Sequence, residues 1–128
     1  ARPWLEDSEA ASVIHIASIA GQAASARTAA YGAVKAALIQ YTQSQAADMA
    51  AHGVRVNAIS AGPIKTVSAM GVGDFGSLLD SMAQRAPLRR NVDQADVGNT
   101  AAFLLSPMSN GITGQVLYVD AGYSILGI

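Results

Sequence analysis

The chain has no cysteine among its 128 residues, which excludes disulfides and thiolate metal sites and makes a reducing cytoplasm the expected setting. Charge is also scarce. Eight Lys and Arg stand against nine Asp and Glu, a net charge of -1, so there is no basic stripe for nucleic acid and no pull toward an anionic membrane surface. Two histidines and no paired carboxylates at ligand spacing leave no metal site to expect. No apolar run is long enough to cross a bilayer, and the N-terminus lacks the charged-then-apolar pattern of a signal peptide. What is abundant is apolar surface, 51% of residues, enough for one packed domain and not for two.

Read in order, Ala1 to Glu6 has the look of a helix already under way, so the chain is expected to begin mid-domain. A strand follows at Ser12 to Ala17, then a loop rich in Ser, Gly and Ala through Thr28. Ala29 to Ala51 repeats apolar or small residues at helical spacing, with Val34, Leu38, Tyr41, Gln45 and Met49 near one stripe that Ala37, Ile39, Thr42 and Ala46 widen, and His52-Gly53 ends it. Val54 to Ile59 is a β-branched strand that runs into the turn Ser60-Ala61-Gly62-Pro63. Helices are expected at Ser77 to Arg85 and Asp93 to Leu105, and a last strand at Gln115 to Val119. Strands alternating with helices predict an α/β fold with a thin parallel sheet and right-handed crossovers.

The chemistry concentrates at Tyr31-Gly32-Ala33-Val34-Lys35. Residues four apart on a helix share a face, so Tyr31 and Lys35 project into one volume. A phenol beside an ammonium is a tunable acid, because the positive charge favours the phenolate. Gly71-Val72-Gly73-Asp74-Phe75-Gly76 matches a dinucleotide fingerprint, but no buried-strand run precedes it, so a mobile lid or substrate loop is the better reading.

Several segments together carry a family resemblance. They are Ile14-His15-Ile16-Ala17-Ser18-Ile19-Ala20-Gly21, then Tyr31-x-x-x-Lys35 thirteen residues after Ser18, then Arg55-Val56-Asn57-Ala58-Ile59, Gly62-Pro63-Ile64-Lys65-Thr66 and Gly114 to Gly122. Over nearly the whole chain this resembles the C-terminal half of short-chain dehydrogenases/reductases. The resemblance implies a partial Rossmann-like, doubly wound parallel sheet lacking its N-terminal strands and glycine-rich turn. It divides the half-domain, residues 1–128, into a catalytic segment (11–66), a substrate loop (66–90) and a closing helix and strand (93–122). It also implies NAD or NADP as cofactor, with Ser18 holding the substrate oxygen, Tyr31 exchanging a proton with it, and Lys35 bonding the nicotinamide ribose. Gly62, Ile64 and Thr66 would grip the carboxamide, and Asn57 would be structural. A homo-oligomer, dimer or tetramer, is expected by the same resemblance.

From about Ile59 onward the sequence is most similar to the enoyl-acyl-carrier-protein reductase branch, in Ile59 to Thr66, Ala86-Pro87-Leu88-Arg89-Arg90, Asp96 to Thr100 and Tyr118 to Tyr123. That branch places its tyrosine at the position of Thr28 and a second one at Ser18, and neither is present. Chemistry follows the proton donor, so reduction of a carbonyl, a 3-oxoacyl-like substrate among them, comes first and enoyl reduction is the alternative. Two further classes stay open: an inactive fragment that self-associates through its long helix and the strand edge near Val13, and a module in the Thr66 to Arg90 region that binds acyl chains or an acyl-carrier protein. Structural alternatives stand beside the site assignments. Ser18 would cap a turn, Tyr31 and Lys35 would be solvated neighbours, His15 would be a buried strand residue, and Arg89-Arg90 either meet a carrier phosphate or are a solvated pair.

Overall fold

The computed structural model describes residues 2–23, 28–65 and 75–126. The apolar run around Val13, Ile14 and Ile16 forms β1 (Ser12–Ser18), and the β-branched run after Gly53 forms β2 (Arg55–Ala61). Together with β3 (Val116–Val119) they make a three-stranded parallel sheet in the order β1-β2-β3. Val13 lies opposite Val56, Ile16 opposite Ile59, and Ile59 in turn opposite Leu117. Flanked on both edges and covered on both faces, β2 is buried from Arg55 to Ser60, which is why it reads as a continuous run and not an alternation.

The helices are α1 (Arg2–Glu6), α2 (Ala29–Met49), α3 (Phe75–Arg85) and α4 (Gln94–Leu105). The expected ends move by a few residues. Helix α2 stops at Met49, continues as one 3-10 turn (Ala50–His52), and closes on Gly53 at φ 69°. Asp93 is the cap of α4, not its first residue. Its carboxylate accepts from the Asp96 amide while the Asp96 carboxylate accepts from the Asp93 amide, a reciprocal capping box built from two aspartates.

Alternation along the strands assigns the faces. Val13 and Val56 pack with Ala46 and Met49 of α2, whereas Ser12 and Arg55 reach the C-terminal end of α4. The two helices therefore cover opposite faces of the sheet. Since the strands are added in one direction, the two crossovers have opposite hands, and the right-handed expectation holds for only one of them. The physical route is the long connection after β2, which passes through α3 before α4 begins.

The inward face of α2 follows the expected stripe in part. Met49 and, from its margin, Thr42 and Ala46 are buried, while Val34 and Tyr41 face outward. Apolar or small residues stand on several sides of this helix, so packing against the sheet selects which part of the wide stripe faces inward.

Arg55 is 8% exposed and faces no carboxylate among the described residues. Its guanidinium donates to the carbonyls of Leu104 (2.9 Å), Ser109 (3.1 Å) and Ser106 (3.2 Å) and to the Ser109 hydroxyl (2.8 Å). These are the carbonyls a helix C-terminus leaves unpaired, and their partial negative charge offsets the buried cation. Asn57 ties the same strand across the sheet, donating to Ile112 O at 2.9 Å and accepting from the Gln115 amide at 3.0 Å. Its expected structural role is thus observed. Replacing Arg55 by Ala removes its four hydrogen bonds from a buried cluster and is expected to lower stability by about 3 kcal/mol, read as a lower urea midpoint with an unchanged m-value.

Candidate functional site

The candidate site lies at the carboxyl ends of β1 and β2, where ligands bind in open α/β sheets. Ser18 ends β1 in extended conformation (φ -161°, ψ 152°), and its hydroxyl accepts from the Ala20 amide at 3.3 Å. It therefore caps the 3-10 turn Ile19–Gly21, as the structural alternative expected. A half-buried hydroxyl that accepts one backbone bond still has its own proton to donate.

Tyr31 sits in the first turn of α2 and is half exposed. Lys35, one turn on, places its ammonium 5.6 Å from the centre of the Tyr31 ring and donates to the Ile16 carbonyl at 2.6 Å. The ammonium thus lies near the ring of Tyr31 while bonded to the backbone of β1. Tyr31 and Lys35 share one volume, as their spacing predicts, and the bond to Ile16 ties that volume to the strand that carries Ser18.

The turn after β2, where the carboxamide grip is expected, also serves the fold. The Gly62 amide donates to the Val119 carbonyl at 2.8 Å, which extends the pairing with β3. A Cβ on Gly62 would come within 3.1 Å of the Asp120 Cα, so a side chain there obliges its neighbours to give by a few tenths of an ångström. Ile64 packs against Ala86, Val92 and Ala121. Thr66 and most of the Gly71 to Gly76 pattern lie outside the described residues.

His15 lies on the α2 face of β1, with its Nδ1 2.8 Å from the Thr42 hydroxyl. Thr42 donates to the Leu38 carbonyl at 2.8 Å, so the hydroxyl accepts from His15 and the imidazole proton sits on Nδ1. Tyr41 covers the ring at 5.5 Å. His15 is accordingly a packed strand residue, and desolvation holds its pKa below the ordinary histidine value. Arg90 makes two bonds to the Asp96 carboxylate, at 2.6 and 3.1 Å, and Arg89 donates to the Gln84 carbonyl. Arg90 holds Asp96 below the usual carboxylate range, chiefly through the hydrogen bond. This pair locks the start of α4, which favours the structural alternative for Arg90 over a carrier-phosphate contact.

Four residues have roles that the sequence does not show. Arg55 falls inside a quoted segment, yet nothing there names the carbonyls that answer its guanidinium. Gly21 and Gly32 fall inside the quoted motifs, yet only the structure shows that a Cβ on Gly32 would stand 2.6 Å from the Ala20 carbonyl oxygen and one on Gly21 2.7 Å from the Lys35 carbonyl carbon. Asp120 accepts from the amides of Gly122 (2.9 Å) and Ser124 (2.8 Å), closing the turn after β3.

The parallel sheet, with Ser18 at the end of β1 and Lys35 bonded to that strand, accords with the class of short-chain dehydrogenases/reductases. A family profile described as enoyl-(acyl carrier protein) reductase matches residues 1–124, and the chain belongs to that family. It is 54% identical over 96 residues to the enoyl-(acyl-carrier-protein) reductase (NADH) of Bacillus cereus, covering 75% of this chain and 38% of the relative. With the NADPH-named reductase of Staphylococcus aureus it shares 45% identity over 115 residues, 90% of this chain and 45% of the relative. The crystal structure of the Bacillus cereus enoyl-acyl carrier protein reductase with NADP+ and indole naphthyridinone superposes with a TM-score of 0.89 at 45% identity, over 92% of this chain and 46% of that one. The chain thus spans less than half the length of these relatives, and its fold is part of their Rossmann-like domain.

The depressed pKa of His15 sets the sign of its contribution to stability. The unfolded chain takes up the proton first, so the stabilisation is complete above the unfolded value of about 6.5 and is lost as pH falls through it. An NMR titration should place the His15 midpoint below that value, and His15→Asn should flatten the fall in thermal stability between neutral and mildly acidic pH.

Proposed function

We propose that the chain supplies the catalytic-helix portion of an NAD(P)-dependent enoyl-acyl-carrier-protein reductase. The observation that carries this reading is the Lys35 ammonium bonded to Ile16 O at the carboxyl end of a parallel strand, within a chain matched by that family's profile along 124 of its residues. The names of the relatives favour enoyl reduction, which the sequence reading placed second. The coarser assignment, a nicotinamide-dependent oxidoreductase, is common to both.

The residues present suit a nicotinamide ribose. Lys35 has three N–H donors, of which one is directed to Ile16, leaving two for vicinal hydroxyls. When bound and reduced, the nicotinamide supplies the hydride. Saturation of a 2-enoyl thioester adds that hydride at C3 and a proton at C2, with negative charge gathering on the thioester oxygen between the two events. This chain's part is to hold that oxygen through the hydroxyls of Tyr31 or Ser18 and to keep a positive charge, Lys35, beside the phenol. Gly62, Ile64 and Thr66 would border the carboxamide in this assignment. The substrate loop (66–90) would close over an acyl chain delivered by an acyl-carrier protein, within the same three-part division of residues 11–66, 66–90 and 93–122.

A second reading, reduction of a 3-oxoacyl carbonyl, is supported by the Tyr31–Lys35 spacing and by Thr28 and Ser18 standing where the enoyl branch carries tyrosines. Self-association fits either reading. Val34 and Tyr41 are 66 and 54% exposed along α2, an apolar surface suited to a second copy. Among the described residues no helix is long and apolar enough to cross a membrane, and a cytoplasmic setting accords with the absence of cysteine.

Fluorescence titration with NADH and with NADPH tests the cofactor, and Lys35→Met should weaken binding by about tenfold or more. Oxidation of the bound cofactor is then followed with a 2-enoyl and a 3-oxoacyl thioester. Turnover of the enoyl substrate alone supports the first reading, turnover of the 3-oxoacyl substrate alone the second, and absence of cofactor binding overturns both for this chain.

A further inference from the structure

We infer that Gly21 and Gly32 are positioning residues that set the reach of Lys35 by bringing the turn after β1 and the start of α2 into backbone contact. The inference rests on the proposed role of Lys35 in holding the nicotinamide. Two close approaches, made from opposite sides, define the contact. A Cβ on Gly32 would lie 2.6 Å from the Ala20 carbonyl oxygen, on the turn. One on Gly21 would lie 2.7 Å from the Lys35 carbonyl carbon and 2.8 Å from the Ala36 nitrogen, on the helix. Real Cβ atoms do not approach backbone this closely, and in both cases the opposing atom is main chain, which no rotamer change can move aside.

The consequence reaches the functional atoms directly. Gly32 lies between Tyr31 and Lys35 in sequence, and Ser18 caps the very turn to which Ala20 and Gly21 belong. A methyl group inserted at either glycine has to separate turn from helix by a fraction of an ångström to an ångström. The Lys35 ammonium, bonded to Ile16 at 2.6 Å, is carried by the helix while its acceptor stays on the strand. Farther along α2, the bond between His15 and Thr42 at 2.8 Å holds the helix to the same strand, so the displacement is confined to the first turns. The glycines thereby couple the Ser18 turn to the Tyr31 and Lys35 helix as one rigid unit.

The test uses the whole chain, with Gly32→Ala, Gly21→Ala and, as a control, Gly98→Ala, whose Cβ on α4 would meet nothing within 4 Å. The readouts are circular dichroism for folding, the side-chain ammonium NMR signal of Lys35 compared with exposed Lys65, and NADH titration. Expected are folded Gly32 and Gly21 variants in which the Lys35 signal moves toward that of Lys65 and NADH affinity falls by about tenfold to a hundredfold, with Gly98→Ala unchanged in both. An unmoved Lys35 signal in the two variants overturns the inference. So does failure of both to fold, because the contact would then govern folding and not the placement of Lys35. If the unsubstituted chain binds neither NADH nor NADPH, the functional reading fails on its own, and the Lys35 signal still decides the positioning.

Discussion

A guanidinium buried in the middle strand, with no carboxylate partner among the described residues, governs one whole side of this fold. Burying a charge is costly unless every donor is answered, and Arg55 is answered by carbonyls from Leu104, Ser106 and Ser109. The end of α4 has the complementary need, since its last carbonyls have no partner within the helix. Ser12 and Ser109 share the same acceptor at Leu104, which draws β1 and the turn after α4 into the cluster. Because the cluster joins β1, β2 and α4, it fixes which face of the sheet α4 covers and leaves the other to α2.

The α2 face is organised by polar contacts of a different kind. His15 to Thr42 and Lys35 to Ile16 are both bonds from one element to the other, spaced along the helix, with Ala46 and Met49 packed on Val56 beyond them. Small side chains let the helix come close, and the polar groups set its register. This is the layer to which the proposed chemistry is assigned. Lys35 is anchored to the strand backbone, and Tyr31 stands half exposed beside it.

Membership of the enoyl-(acyl carrier protein) reductase family and a Tyr-x-x-x-Lys spacing pull toward different substrates. The positions Thr28 and Ser18 are where they diverge. Fold and family are shared by both chemistries, so neither can choose between them; the group that faces the substrate oxygen does. The Arg90 and Asp96 pair illustrates the same separation of sequence likeness from role. Of a basic pair that the sequence leaves open between a phosphate contact and a solvated pair, Arg90 is, in three dimensions, the clamp on a helix cap.

What the sequence by itself determined were the local features: the apolar runs that became β1 and β2, the stop at Gly53, the shared face of Tyr31 and Lys35, and the class of fold. Each depends on neighbours within a few residues, where periodicity and turn chemistry act. Tertiary structure alone decided which part of the wide α2 stripe faces inward, the opposite hands of the two crossovers, the acceptors of Arg55 and the backbone contact at Gly21 and Gly32. Those depend on groups distant in sequence, Arg55 on Leu104 and Gly32 on Ala20. A broad apolar stripe leaves the exact orientation of a helix to its neighbours, and a glycine records the absence of a side chain without naming the atom that requires it.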